Sequence, residues 1–316
     1  MLQPHMLLGV LLLIAGIALV LWGAERFTDG AIHTALRCSL SPFYVGAIVS
    51  GFEPENLVTG GAAALGGLPQ VALGTVIGAA IFMLTAGLGV TLLLVPMAVN
   101  IPRAGAVAML VCLVPFAFAL WSGSTVNRLE GALLILVALG LMTWLYKRSS
   151  AFLHTVPTEE LEALPSWSRA IGLLIVGLVV IVMGAELVVK GAKMVLSTFP
   201  ISEVFLGMTV VALGESLEET ARMVAPARRG HPELAWGNVV GTVIILLALN
   251  LGVISLIQPL TADPQVLAFH APYLIGCILL VAVALLWAKR LGRAMGAILV
   301  GIYLVYLAVN LRDIAP

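Results

Sequence analysis

Long apolar runs dominate this chain, and short polar or glycine- and proline-containing segments separate them. A helix needs about 20 apolar residues to cross the hydrocarbon core of a bilayer. Windows of that length predict two sets of five spans, at 6–30, 42–65, 70–98, 104–122 and 130–146, and at 170–195, 202–226, 233–257, 267–288 and 293–311. The pattern predicts an all-α polytopic membrane protein with ten transmembrane helices.

The two sets of spans share short sequences at a constant spacing. Gly23-Ala24-Glu25 recurs 161 residues later as Gly184-Ala185-Glu186, and the SPFYVG segment from Ser41 recurs as SEVFLG from Ser202. Because each set has an odd number of spans, two homologous halves must lie in opposite orientations. We therefore predict two inverted five-helix repeats, 1–147 and 169–316, joined by a polar cytoplasmic linker over 148–168.

Positive charge predicts the orientation, since Lys and Arg collect in short cytoplasmic loops. With both termini outside, three basic residues fall on the outer side: Arg128, Lys193 and Arg312. Ten others then lie in or beside inner loops: Arg37, Arg103, Lys147, Arg148, Arg169, Arg228, Arg229, Lys289, Arg290 and Arg293. We expect a multi-pass protein of the inner or plasma membrane whose termini lie outside and whose central linker is cytoplasmic.

Composition excludes several other classes of protein. Hydrophobic residues make up 61% of the 316 residues and charged residues 10%, which no soluble domain of this size would show. A net charge of zero argues against nucleic acid as a partner. The three cysteines have neither metal-ligand nor redox spacing, and we expect them to serve packing. The lipid bilayer is an expected partner, and monomer and homo-oligomer both remain open.

Two acid-rich blocks interrupt the apolar sequence. The first acidic block is residues 51–56 (GFEPEN), and the second acidic block is residues 214–219 (GESLEE). A carboxylate inside hydrocarbon costs about 2.5–3.5 kcal/mol on insertion scales, so the five acids need a reason. Ca²⁺ binds six to eight oxygens from carboxylates, amides, hydroxyls and carbonyls. The blocks predict a cation site, facing across the repeat interface, with these ligands: Glu53, Glu55, Asn56, Glu215, Ser216, Glu218 and Glu219.

These blocks and the segments after them resemble the cation/calcium antiporter superfamily, which includes the sodium/calcium exchangers. Its repeats carry G-T-S-x-P-E followed by G-x-P-x-x-A-x-G-N-x-x-G-S-N/D. Gly214, Ser216 and Glu219 match the first motif, and Asn238 and Gly241 match the second. The resemblance covers nearly the whole chain. It implies alternating access in which the first and sixth helices move against the core that holds the site.

The chain also departs from these motifs. Phe52 and Glu215 stand where the family has threonine, and either Glu55 or Asn56 takes the place of the first-repeat glutamate, depending on where a two-residue gap is placed. Further replacements remove oxygens that the family uses around sodium: Thr75, Ala80 and Val243. Clustered carboxylates in a low dielectric hold protons when empty, and a divalent ion displaces them. Proton coupling is therefore expected, with Na⁺ as its competitor.

The favoured function is a secondary antiporter that exchanges a divalent cation, Ca²⁺ first, for H⁺ or Na⁺. No cofactor is expected, because the ions are cargo. Inorganic cations are therefore the expected partners besides the lipid bilayer. One alternative is an inverted-repeat metabolite exporter, but such a protein would not need five acids at repeat-related positions. The other is a membrane enzyme or a non-transporting subunit, and the absence of a nucleophile-and-base constellation argues against it.

Charged residues on the first and sixth helices have the spacing of intrahelical pairs and are expected to be structural: Glu25, Arg26, Asp29, Glu186 and Lys190.

Overall fold

The computed structural model describes residues 4–50, 54–123, 125–149, 166–196 and 218–312. Most of these residues are helical, and the strands among them are two residues long. Eight helices within the described ranges are long and apolar enough to cross a membrane. The chain is an all-α polytopic membrane protein, as its apolar runs predict.

The elements follow one another along the chain with short connections. The α-helices are α1 (Pro4–Arg37), α2 (Pro42–Val45), α3 (Pro54–Leu65), α4 (Pro69–Phe82), α5 (Leu88–Leu94), α6 (Arg103–Trp121), α7 (Arg128–Ser149), α8 (Trp167–Leu196), α9 (residues 218–228), α10 (Pro232–Ile244), α11 (Leu251–Ile257), α12 (Ala271–Trp287) and α13 (Arg293–Arg312). The π-helical segments are π1 (Gly46–Ser50), π2 (Met83–Gly87), π3 (Ile245–Asn250) and π4 (Val266–His270). The strands are β1 (Met97–Ala98), β2 (Thr125–Val126), β3 (Leu260–Thr261) and β4 (Arg290–Leu291).

Residue contacts divide the chain into two compact units, and each unit draws on both halves of the sequence. The first unit comprises Met1–Cys38 and Val156–Gly230. The second unit comprises Ser39–Thr155 and His231–Pro316. The division into 1–147, 148–168 and 169–316 follows the sequence repeat instead, and it stays a prediction.

In the first unit, α1 and α8 pack antiparallel along glycines that recur every seven residues. A Cβ added to Gly184 of α8 would lie 2.9 Å from the carbonyl oxygen of Gly16, and one added to Gly23 would lie 2.9 Å from that of Gly177. Such small residues let membrane helices approach closely. Two helices related by the sequence repeat therefore run in opposite directions. Their glycines are 161 residues apart: Gly16, Gly23 and Gly30 in α1, and Gly177, Gly184 and Gly191 in α8.

The opposite faces of α1 and α8 carry exposed apolar side chains. Leu11 and Ile14 of α1 are more than half exposed, as is Ile175 of α8. Exposed apolar residues on long apolar helices suit contact with lipid acyl chains. These faces therefore fit the bilayer that the composition predicts.

In the second unit, two broken helices follow the same course 163 residues apart. One consists of α4, π2 and α5, from Pro69 to Leu94, and the other of α10, π3 and α11, from Pro232 to Ile257. Each begins with a proline at its first helical position and widens into a π-helix at its middle. π-helical segments occur often at functional sites, because they break the regular backbone ladder.

The short strands pair in a pattern that also reflects the repeat. β1 pairs antiparallel with β4, with Met97 opposite Leu291. β2 pairs antiparallel with β3, with Thr125 opposite Thr261. β1 and β3 each follow a broken helix, whereas β2 and β4 each precede the last helix of a half. Each pair therefore joins one half of the sequence to the other.

The predicted spans agree with the described helices in most places. The span predicted at 70–98 extends beyond the end of α5 at Leu94, because its apolar run continues into β1. α1 continues to Arg37 rather than ending near 30, because its polar C-terminal turns remain helical beyond the apolar window. The span predicted at 42–65 consists of α2, π1 and α3 around residues 51–53, which are outside the described ranges. Of the span predicted at 202–226, only 218–226 is described, and it is helical as part of α9.

Repeat-related glycines end α3 and α9. Gly67 has φ 74° and Gly230 has φ 83°, both in the left-handed region that favours glycine. A proline, Pro69 or Pro232, then begins the next helix two residues later. The matching segments GLP and GHP in the sequence therefore encode the same turn twice.

Candidate cation-binding site

The first acidic block leads into α3. Pro54 begins this helix, so Glu55 and Asn56 lie in its first turn, where free backbone N–H groups favour a negative charge. Asn56 is half-buried. Glu53 lies outside the described residues. The structure thus places two of the three predicted first-block ligands at a helix N-terminus.

Close packing against α10 positions the segment that precedes the first block. A Cβ on Gly237 would overlap the backbone of Phe43, and a Cβ on Gly241 would overlap that of Ala47 in π1. Both glycines belong to the motif that follows the second acidic block. Their chemical role is therefore contact between backbones, and Gly237 or Gly241 could not be replaced by a larger residue without displacing π1.

The second acidic block enters α9, which carries its last two acids. Glu219 is 6% exposed, and it occupies the glutamate position of the family motif. The Glu218 side chain is 15% exposed, and its Oε1 lies 3.2 Å from Nη2 of Arg222. Glu215 and Ser216 are outside the described residues. The expectation that the two blocks face one another stays a prediction.

Arg222 is a buried cation on the same helix as the candidate ligands. Its side chain is 2% exposed. Removing one partner of a buried ion pair is strongly destabilising, because the remaining charge stays out of water. Residues 218–222 of α9 therefore combine two carboxylates with one guanidinium, which leaves this segment a formal charge of one negative.

The motif after each block is buried, but it offers few oxygens at the family's ligand positions. Ala80 and Val243, which stand where the family has Asn or Asp, are both fully buried, and their side chains carry no oxygen. The hydroxyl of Thr75 donates to the carbonyl of Ala72 within α4 at 2.8 Å. The hydroxyl of Thr242 donates to the amide oxygen of Asn238 at 3.4 Å, and both residues are buried. Neutral oxygen ligands are thus scarcer than the family motif would supply.

No cluster of three or more His, Cys, Asp or Glu side chains arranged to hold a metal occurs within the described ranges. Glu53, Glu215 and Ser216 are outside those ranges, so this finding concerns part of the predicted set. The seven-residue ligand set stays a prediction.

The charged residues of α1 and α8 form the predicted pairs and one more that sequence spacing did not indicate. Arg26 lies 3.7 Å from Asp29, and Lys190 lies 3.2 Å from Glu186, which confirms both intrahelical pairs. Arg229, just after α9, also pairs with Asp29, and it lies 3.6 Å from Glu25. The first unit therefore contains an ionic link between α1 and the end of the helix that carries Glu219.

Two polar features of the second unit, one fully buried and one half-buried, were also missed from sequence. Asn250 in π3 is fully buried, and its side-chain amide has no hydrogen-bond partner among the described residues. Nδ1 of His270 lies 2.9 Å from the hydroxyl of Tyr306, joining π4 to α13. The only sequence signal for the buried Asn250 was an asparagine standing alone in the apolar run from Thr242 to Ile257. No local sequence pattern indicated the contact between His270 and Tyr306.

Comparisons with known proteins identify the class to which this fold belongs. The profile described as "Sodium/calcium exchanger protein" matches residues 8–147 and 169–312. Inner membrane protein YrbG of Escherichia coli (strain K12) is 30% identical over 317 residues, covering 96% of this chain and 97% of that protein. Putative antiporter CaxA of Alkalimonas amylolytica is 28% identical over 315 residues, covering 95% and 98%.

A solved structure has the same fold. The sodium-calcium exchanger NCX_Mj, soaked with 10 mM Na⁺ and zero Ca²⁺, matches with a TM-score of 0.80 and 27% identity, covering 96% of this chain and 99% of that chain. Fold and acidic motifs together define a polytopic membrane protein that exchanges inorganic cations, and not an enzyme. The chain belongs to the sodium/calcium exchanger family.

Proposed function

We propose that this protein is a secondary antiporter that exchanges a divalent cation, Ca²⁺ first, for H⁺ or Na⁺ by alternating access. The observation that carries the proposal is Glu219, a buried acid on α9 in the glutamate position of the family motif. Intramembrane acids are rare, and they mark ion pathways. A divalent cation is the cargo that best uses several carboxylates at once.

The proposed architecture is ten transmembrane helices in two inverted five-helix repeats. The antiparallel contact between α1 and α8 supports it, because these helices carry equivalent glycines 161 residues apart. The broken helices 163 residues apart and the crossed strand pairs support it further. Inverted repeats allow one site to open alternately to either face of the membrane. In the proposed mechanism, the first and sixth helices, α1 and α8, move together.

The proposed ligands come from both acidic blocks, with Glu219 at their centre. The full set is Glu53, Glu55, Asn56, Glu215, Ser216, Glu218 and Glu219. Carboxylate, amide and hydroxyl oxygens of these residues suit a hard divalent cation, which takes six to eight oxygens when it is Ca²⁺. Backbone carbonyls freed where Gly or Pro breaks a membrane helix would complete its coordination.

Proton coupling is favoured over sodium coupling by the scarcity of neutral oxygens. The side chains of Ala80 and Val243 offer none. Sodium would have to rely on the remaining glutamates and on backbone carbonyls. Carboxylates, in contrast, can bind protons once a divalent ion has left. Uptake of the divalent ion should therefore weaken at low pH, as protons occupy the site.

The proposed location is the inner or plasma membrane, with both termini outside and the central linker in the cytoplasm. The distribution of Lys and Arg supports this orientation. E. coli YrbG, which is named an inner membrane protein, is similar over nearly its whole length.

Reconstituted protein tests the proposed function. Uptake of Ca²⁺, Mn²⁺ and Mg²⁺ into proteoliposomes is measured with either a proton or a sodium gradient and with the membrane potential clamped. We expect Ca²⁺ uptake driven by the proton gradient alone. Uptake driven by sodium alone would reject proton coupling, and the absence of any gradient-driven cation flux would reject the antiporter.

A further inference from the structure

Arg222 places a permanent positive charge on the helix that carries Glu219. It is four residues after Glu218, on the same face of α9, and its Nη2 lies 3.2 Å from Glu218 Oε1. The side chain is 2% exposed. Arginine keeps its charge across the physiological pH range. Any cation bound near Glu219 therefore experiences this guanidinium as well as the carboxylates.

The acid that pairs with Arg222 is an addition relative to the family motif. G-T-S-x-P-E has proline at the position of Glu218, so the motif supplies one acid here and this chain supplies two. Because Glu218 and Arg222 have opposite charges, the pair leaves the formal charge of residues 218–222 at that of Glu219 alone. Separating the pair to release the whole charge of Glu218 would leave a buried arginine without this carboxylate, which is strongly unfavourable.

We propose that Arg222 is a resident counter-cation of the candidate cation site, which offsets the charge of Glu218 and so limits the preference of the site for divalent over monovalent cations. The inference rests on the proposed function, since it concerns the selectivity of that site. Exchange needs such a limit, because the cation that enters must also leave, and an additional uncompensated carboxylate would hold a divalent ion too tightly.

The expected size of the effect depends on the charge of the bound ion. Coulomb energy is proportional to that charge, so removing Arg222's charge strengthens binding of a divalent cation by the square of the factor for a monovalent cation at the same place. If the apparent affinity for Na⁺ rises by about threefold, that for Ca²⁺ should rise by about tenfold. A purely structural loss would instead weaken both.

Arg222→Gln is the test variant, because it removes the charge and keeps an amide that can donate to Glu218. Arg222→Lys is the matched control, because it keeps the charge and loses only the guanidinium geometry. Apparent Kd values for Ca²⁺ and Na⁺ are measured on the purified full chain from the cation-dependent rise in Tm. We expect the Ca²⁺/Na⁺ affinity ratio to rise by about threefold or more in Arg222→Gln and to stay at the wild-type value in Arg222→Lys.

A double variant covers the case in which Arg222→Gln does not fold. Glu218→Gln with Arg222→Gln differs from Glu218→Gln alone only in the charge at Arg222, so its Ca²⁺/Na⁺ affinity ratio should be about threefold higher than that of Glu218→Gln. Where all three variants fold, the loss of Tm in the double variant should be smaller than the sum of the losses in the two single variants, as expected for a coupled pair. An unchanged ratio in Arg222→Gln, or equal ratios in the double variant and in Glu218→Gln, would overturn the inference. A wild-type protein with no response to any cation would instead reject the proposed site itself.

Discussion

Gly184→Ala tests whether the contact between α1 and α8 depends on glycine. An added Cβ would lie 2.8 Å from the backbone nitrogen of Val20 and 2.9 Å from the carbonyl oxygen of Gly16. The two helices would have to separate by about 0.5 Å to restore ordinary contact at 3.4 Å. Overpacking of this kind costs about 1–3 kcal/mol. Alanine also has a higher helix propensity than glycine, which offsets about 1 kcal/mol of this packing cost.

Gly172→Ala is the matched control, because it lies on the same helix and a Cβ there meets nothing within 4 Å. The gain in helix propensity is common to both variants, so their difference isolates the packing cost of about 1–3 kcal/mol. Thermal unfolding of the full chain in detergent, followed by tryptophan fluorescence, should give Gly184→Ala a Tm at least about 2 °C below that of Gly172→Ala. Equal Tm values, or a higher one for Gly184→Ala, would refute the close contact.

Two further predictions concern the ionic link and the orientation. Arg229→Gln removes the ion pairs with Glu25 and Asp29, and partly exposed pairs of this kind contribute about 0.5–1 kcal/mol. The Tm of this variant should therefore fall by about 1–3 °C at low salt. The loss of Tm should be smaller in high salt, because salt screens the pairs. Arg228→Gln is the exposed neighbouring control, and an equal loss in that variant would contradict the pairing. A cysteine introduced at Glu160, in a chain without its three native cysteines, should react with impermeant thiol reagents only from the cytoplasmic side. Labelling from outside intact cells would reverse the proposed orientation.

Local hydrophobicity was sufficient to predict most helices of this fold. The windows at 104–122 and 233–257 lie within one residue of α6 and of the broken helix from Pro232 to Ile257. The same windows could not reveal π2 or π3, because a π-helical widening leaves the composition of the run unchanged. They also ended α1 too early, since its last turns are polar yet helical.

Contacts between distant residues explain what the sequence could not reveal about the site. The spacing of Glu25, Arg26 and Asp29 correctly predicted a pair within α1, but Arg229 is 200 residues from Asp29 along the chain. The pairing of Glu218 with Arg222 was accessible from sequence, because both lie on one helix. The burial of Arg222 was not, since it depends on packing around α9 rather than on spacing. The burial of Asn250 likewise results from packing around π3.

The most direct test of the account is Ca²⁺ uptake by Glu219→Gln protein in proteoliposomes. This variant keeps the size of the side chain and removes a buried negative charge that a divalent cation would need. Glu186→Gln is the matched control, because Glu186 is an exposed glutamate of the same unit. We expect background uptake for folded Glu219→Gln and wild-type uptake for Glu186→Gln. Wild-type uptake by well-folded Glu219→Gln would contradict this expectation.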